Sequence, residues 1–135
     1  MAGSFAKQVA AFTDKAKAKT DLAFRKIALD MFSEVILMSP VDTGRFRGNW
    51  QVAIGSVPEG TLQVDDKAGT ATISKADAVT KRLVAGQTIY LVNNLPYAQR
   101  LEDGYSGQAP AGMVKITVQR FDQIVKAVGA EISRL

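Results

Sequence analysis

The first proline of the chain stands at position 40, and up to it apolar residues recur every three or four positions. Phe5, Val9, Phe12 and Ala16 form one series, and Phe24, Ile27, Ala28, Met31, Val35 and Met38 form a second. That is the period of an amphipathic helix, on which residues three and four apart share a face. The spacing predicts helix over residues 4–38, either as one long helix or as two joined near Lys19. Ser4 is suited to cap the start, and Thr20 or Asp21 to begin a second segment. Pro40 ends the helix, because its nitrogen carries no hydrogen and its ring collides with the preceding turn. With 135 residues in all, the chain reads as a single domain spanning residues 1–135, its first 26 residues a basic helical arm.

Beyond the helix the period changes. Ser39 to Trp50, SPVDTGRFRGNW, holds a proline, an aspartate and two glycines, and turns the chain from helix to strand. Trp50, Val52 and Ile54 alternate with Gln51 and Ala53 as a half-buried strand that stops at Gly55. Thr61 to Val64 has strand composition among loop formers. Lys67-Ala68-Gly69 reads as a hairpin turn with Thr70 to Ser74 returning as a strand, and Ala76 to Ala85 as a short helix closed by Gly86. Thr88 to Val92 reads as a central strand closed by Asn93-Asn94, and Pro96 to Leu101 as a single helical turn. A last helix is expected from Pro110. Val114, Val118, Phe121, Val125, Val128, Ile132 and Leu135 follow in steps of four and three, a heptad seam expected to pack on the sheet. The order argues an α+β fold, an antiparallel β-sheet packed by a long N-terminal helix and a C-terminal helix.

Several chemistries are excluded by composition. The chain has no cysteine and no histidine, which removes disulfides, thiolate or imidazole metal sites, and Cys or His nucleophiles and bases. No stretch of 18 uncharged apolar residues exists to span a membrane, and the opening residues lack a signal-like apolar run. The expectation is a soluble protein made and kept inside the producing cell until something larger releases it. The net charge of +4 is not spread evenly. Residues 1–26 hold Lys7, Lys15, Lys17, Lys19, Arg25 and Lys26 against Asp14 and Asp21, 6 − 2 = +4, so the other 109 residues balance. A basic arm on a neutral body suits nucleic acid, an acidic protein face or plain solvation.

Asp42-Thr43-Gly44 is the triplet that carries the catalytic aspartate of aspartic proteases. Here it follows a helix and a proline and precedes Arg45, which would hold the carboxylate ionised and prevent proton sharing. The carboxylate of Asp42 is instead expected to accept backbone N–H bonds in its turn and to pair with Arg45 or Arg47. Asp65-Asp66 and Glu102-Asp103 lack calcium-loop spacing and read as solvated loop acids. No phosphate-binding glycine motif is present, and no cofactor or metal is expected. Trp50, Tyr90, Tyr97 and Tyr105 with Arg45, Arg47 and Arg100 would make a stacking surface for single-stranded nucleic acid. Core packing and subunit contacts account for them as well. The segment Asn93 to Val114, NNLPYAQRLEDGYSGQAPAGMV, is too long for an idle connection and has the composition of a binding loop.

Together, SPVDTGRFRGNW and NNLPYAQRLEDGYSGQAPAGMV resemble the tail-completion and head–tail joining proteins of long-tailed phages, the minor tail protein Z type. The helices before and after them extend the similarity over nearly the whole chain. The resemblance implies a non-enzymatic virion structural protein that completes the tail and joins it to the head connector, as a homo-oligomeric, six-fold ring. Pro40, Asp42, Thr43, Gly44 and Arg45 match the family's turn. Asn93, Pro96, Tyr97, Ala98, Leu101, Glu102, Gly104, Gln108, Ala109, Pro110 and Gly112 match its second motif. Its implied partners are other neck and tail proteins, the tail terminator or tube and the head connector, and its implied location is the virion neck after assembly in the host cytoplasm. Asp42, Arg45, Arg47, Asn93, Tyr97, Arg100, Glu102, Tyr105 and Gln108 are the expected subunit or partner contacts. Lys7, Lys15, Lys17 and Lys19 are positioned for non-specific contact with DNA in a channel. The alternative is a small basic nucleic-acid-binding protein.

Overall fold

The computed structural model describes residues 2–135. Helix α1 runs without interruption over Ala2–Met38, about 55 Å at 1.5 Å per residue. A 3₁₀ turn at Arg47–Asn49 leads into strand β1, Trp50–Ile54. Helix α2 covers Thr70–Thr80, β2 covers Ile89–Asn93, and three further helices follow: α3 at Ala98–Glu102, α4 at Val114–Gln119 and α5 at Phe121–Ile132. The strands pair antiparallel, with Trp50 opposite Asn93 and Ile54 opposite Ile89. The α+β reading holds, with a sheet of only two strands.

Two-stranded sheets are marginal alone, so helices must cover this one. The main core gathers Val35 and Ile36 of α1, Phe46 and Trp50, and Ala109 and Met113. Trp50 brings its indole N–H to Ser39 Oγ at 2.7 Å, and that hydroxyl donates in turn to the Val35 carbonyl at 2.8 Å. The Trp50 indole N–H and the Ser39 hydroxyl are thereby satisfied within the core, where an unmade hydrogen bond is costly. A second core lies along α1 and α5, where Ile124, Val128 and Ile132 pack on Leu22, Ala23, Ile27 and Met31. Ion pairs Lys26–Glu131 (2.9 Å) and Glu34–Arg120 (2.7 Å) fix the two helices antiparallel.

Three expectations are overturned. Thr70 to Ser74 is the start of helix α2, which ends at Thr80, so the hairpin at Lys67–Gly69 does not form, and the helix expected over 76–85 begins six residues earlier and stops at 80. β-branched Thr70, Thr72 and Ile73 favoured a strand, but Asp66 takes the α2 N-terminus. Its carboxylate accepts Thr72 N–H (2.8 Å), Thr72 Oγ1 (2.7 Å) and Gly69 N–H (3.0 Å). Gly69 occupies the N-cap position and has no side chain, and Asp66 supplies the missing acceptor. Thr61 to Val64 forms no strand, because a side chain takes the ladder's place: the Asn49 carboxamide bonds both the N–H (2.7 Å) and the carbonyl (3.1 Å) of Leu62.

The third correction concerns the last helix. It begins at Val114, not Pro110, and breaks at Arg120. Its heptad seam divides, so that Val128 and Ile132 are buried while Val114, Val118, Phe121 and Leu135 stay exposed. The buried part packs on α1 and not on the sheet.

Candidate partner-binding surface

The turn after α1 is built around Gly44. Its φ is +91°, and a Cβ there would stand 2.6 Å from Lys67 N and 2.7 Å from Asp66 N. Only glycine allows that approach. The Gly44 carbonyl can then accept both Gly48 N–H (2.9 Å) and Asp66 N–H (3.0 Å), which ties the turn to the cap of α2. The second motif closes on the first through two carboxamides. Gln108 bonds both backbone groups of Val41, and Asn93 Nδ2 donates to the Phe46 carbonyl at 2.9 Å. Phe46 also meets Tyr97, ring centroids 6.1 Å apart, and Trp50 edge-on at 5.7 Å.

Between the two motifs lies an open groove of about 420 Å³, lined by the turn from Pro40 to Phe46 and by Tyr97, Leu101, Tyr105 and Gln108. The two segments that stood out in the sequence are therefore the two walls of one surface feature. Tyr105 is 73% exposed, with the Arg100 guanidinium 4.8 Å above its ring centroid, a cation–π contact that holds both side chains upright. An exposed aromatic carrying a cation, beside Tyr97 that is itself 40% exposed, is composed like the anchors of protein interfaces.

The remaining predicted contact residues divide. Asp42 sits exposed on the groove rim, and among the described residues its carboxylate has neither a hydrogen bond nor an ion pair, contrary to the expectation of a capped turn. Thr43 fills that role, its Oγ1 accepting Arg45 N–H at 3.1 Å. Arg45 reaches away from Asp42 to Asp65, 2.7 Å. Arg47 is committed internally, donating to the carbonyls of Leu37 and Ser39 (both 2.8 Å) and of Lys67 (2.7 Å). It thus holds the carbonyls left free where α1 ends. Glu102 is also internal. Its carboxylate accepts the backbone N–H groups of Met113 (3.0 Å), Val114 (2.9 Å) and Lys115 (3.0 Å), which seats the N-terminus of α4 where its charge suits the helix dipole. Gly112, φ +87°, permits the approach, since a Cβ would lie 2.5 Å from the Glu102 carbonyl oxygen.

Asn93, Glu102, Arg47 and Gln108 therefore build the surface, while Asp42, Tyr97, Arg100 and Tyr105 present it. The reading of Asp66 and Glu102 as solvated loop acids is overturned, since each caps a helix. Burial pulls the Asp66 carboxyl upward, but hydrogen bonds from Thr72 and Gly69 and the nearby Arg47 charge outweigh it and hold the group below its ordinary value of 3.8. A carboxylate three residues ahead of a glycine that precedes a Thr-rich stretch was the available signal.

The four lysines lie elsewhere. Residues 4–18 of α1 are exposed all round, and among the described residues Lys7, Lys15, Lys17 and Lys19 form no ion pair. The body takes hold of α1 only from Asp21, whose carboxylate accepts Ala85 N–H at 2.8 Å, and Arg25, which donates to the Leu83 carbonyl at 2.6 Å. Ahead of that point the helix projects as a free arm. Among the described residues no helix is long and apolar enough to cross a membrane, and no three acidic side chains gather as a metal site. The chain matches no protein-family model, and no curated protein and no solved structure matches it.

Proposed function

We propose that this protein is a virion structural subunit that assembles as a ring where the tail of a long-tailed phage joins the head connector, and that it catalyses no reaction. One observation carries the reading. The two segments that resemble the tail-completion family are bonded to each other across one groove, by Gln108 to Val41 and Asn93 to Phe46, and present exposed Tyr97, Tyr105, Arg100 and Asp42 outward. A rigid body with a stapled, aromatic rim and a projecting helix has the parts a ring subunit needs, surfaces completed only by neighbours. Mixing the purified protein with tail tubes and imaging by negative stain tests it. Rings or capped tube ends are expected; normal necks in particles made without this chain would refute it.

The lysines of the arm, with Lys7, Lys15 and Lys17 exposed, Lys19 partly so and none ion-paired among the described residues, favour a second reading, a small basic nucleic-acid-binding protein. In the ring the same lysines would face DNA in the channel and neutralise phosphate without reading sequence. Changing Lys15, Lys17 and Lys19 to Gln separates the two readings. If DNA binding is the function, affinity and its salt dependence collapse; in a neck subunit, assembly persists and only DNA retention weakens.

A further inference from the structure

The free arm carries an apolar stripe with no partner. Phe5 is 70% exposed and Phe12 75%, and Val9 lies exposed between them, with Ala16 completing steps of four, three and four. The same steps recur at Val114, Val118, Phe121 and Val125, of which the first three are also exposed. The first set lies on one unbroken helix with the spacing of a coiled-coil seam, in which the side chains of one helix enter gaps in another; the second straddles the junction of α4 and α5 at Arg120 and forms an exposed apolar patch. Among the described residues both the stripe and the patch are left exposed, with no helix over either.

The two cannot meet within one molecule. Arg120, between Val118 and Phe121, is fixed to Glu34 of α1 at 2.7 Å. Phe12 stands 22 residues earlier on the same unbroken helix, roughly 33 Å away along its axis. Bringing the arm onto its own acceptor would require breaking α1. We infer that the arm of one copy docks its Phe5–Val9–Phe12 stripe on the exposed Val114–Val118–Phe121 patch, at the α4–α5 junction of a second copy. This contact names the joint of the ring proposed above and rests on that reading for closure into a ring. The contact joins two different faces, so every subunit offers one of each and growth continues head to tail. Phe5 and Phe12 alone bring roughly 300–500 Å² of aromatic surface, a large part of the about 800 Å² per partner in a standard interface.

Mixing two crippled variants tests the joint. Phe5→Glu/Phe12→Glu removes the arm stripe and keeps the acceptor; Val118→Glu removes the acceptor and keeps the arm. All three positions are solvent-exposed, so circular dichroism and unfolding midpoints are expected to match wild type. In sedimentation velocity the wild type associates with rising concentration, each variant alone is weakened by about tenfold or more, and the mixture yields a 1:1 dimer that grows no further. The chain has no cysteine, so Phe12→Cys/Val118→Cys provides a second readout: oxidation is expected to give a ladder of covalent oligomers. Three results would each overturn the inference: a wild type monomeric up to about 1 mM, at the weak end of specific association; Val118→Glu associating as well as wild type, which means arm-to-arm pairing; or a mixture that stays monomeric. A wild-type protein that forms this joint but is absent from necks sinks the functional reading and leaves the joint intact.

Discussion

Gln108 and Val41 bond each other in both directions, Val41 N–H donating to Gln108 Oε1 at 2.9 Å and Gln108 Nε2 donating to the Val41 carbonyl at 3.0 Å. A carboxamide has one acceptor and one donor side by side, so it can occupy both backbone groups of one residue as a neighbouring strand would. Asn49 does the same to Leu62, and Asn94 Nδ2 reaches the carbonyls of Pro58 and Gly60, both at 3.0 Å. In a chain without cysteine, side-chain amides hold the loops to the body.

Gln108→Ala removes both bonds while leaving the buried core untouched. Each neutral hydrogen bond contributes about 0.5–1.5 kcal/mol net, and these are solvent-exposed, so a loss near 1 kcal/mol is expected. Urea unfolding measures it. Gln108→Glu keeps an acceptor and loses the donor, and its charge faces the Val41 carbonyl, so it is expected to be the worse of the two at neutral pH.

Asp66 makes the stability of α2 depend on pH. Its folded pKa lies below the ordinary 3.8, so the carboxylate contributes stability above that value and loses it as pH falls through the lowered one. Asp66→Asn replaces charge-assisted caps with neutral ones, and about 1–2 kcal/mol is expected to go at pH 7. The difference from wild type should shrink at pH 3 and below. Unfolding midpoints of both proteins between pH 2.5 and pH 7 check the sign: a gap that widens in acid contradicts the capping role.

Glu102 caps α4 from eleven residues away, and Glu102→Gln leaves one amide oxygen where two carboxylate oxygens served three N–H groups. Hydrogen bonds to charged acceptors contribute about 1.5–3 kcal/mol. The consequence should be local, because α4 is only six residues long. Hydrogen exchange at Val114 and Lys115 is expected to rise well before global stability changes, and unchanged protection there would show that Met113 in the core holds α4 by itself.

The legible part of the fold was what local pattern encodes. Helix α1, strand β1 and its end at Gly55, strand β2 and the turn of α3 followed from period and from Pro and Gly positions. What was not legible depends on contacts distant in sequence. The spacing of the first helix does not say that its two apolar series part company, most of the second packed on α5 or in the main core and the first bare. Thr70 to Ser74 has strand composition, and only Asp66 folding back makes it a helix. Arg47, Asn93, Glu102 and Gln108 lie in the expected segments and make internal hydrogen bonds that the sequence did not reveal, since polar residues that staple a loop and polar residues that greet a partner look alike until their hydrogen bonds are traced. Asp42, Tyr97, Arg100 and Tyr105 are exposed.

The divided heptad seam gives a paired comparison within one pattern. Val128 and Val118 are ten residues apart on the same sequence repeat, yet Val128 is 1% exposed against Leu22, Ile27 and Met31 while Val118 is 58% exposed. Truncating buried Val128 to Ala opens a cavity between α1 and α5 and removes two methyl groups from the core, at about 1–3 kcal/mol by analogy with other buried deletions. Val118→Ala deletes the same atoms from water and should shift stability by less than about 0.5 kcal/mol. Both variants are measured by urea unfolding at a protein concentration low enough to keep the chain monomeric. Because a contact between copies stabilises only the assembled form, the Val118→Ala deficit should then grow as concentration rises while the Val128→Ala deficit stays constant.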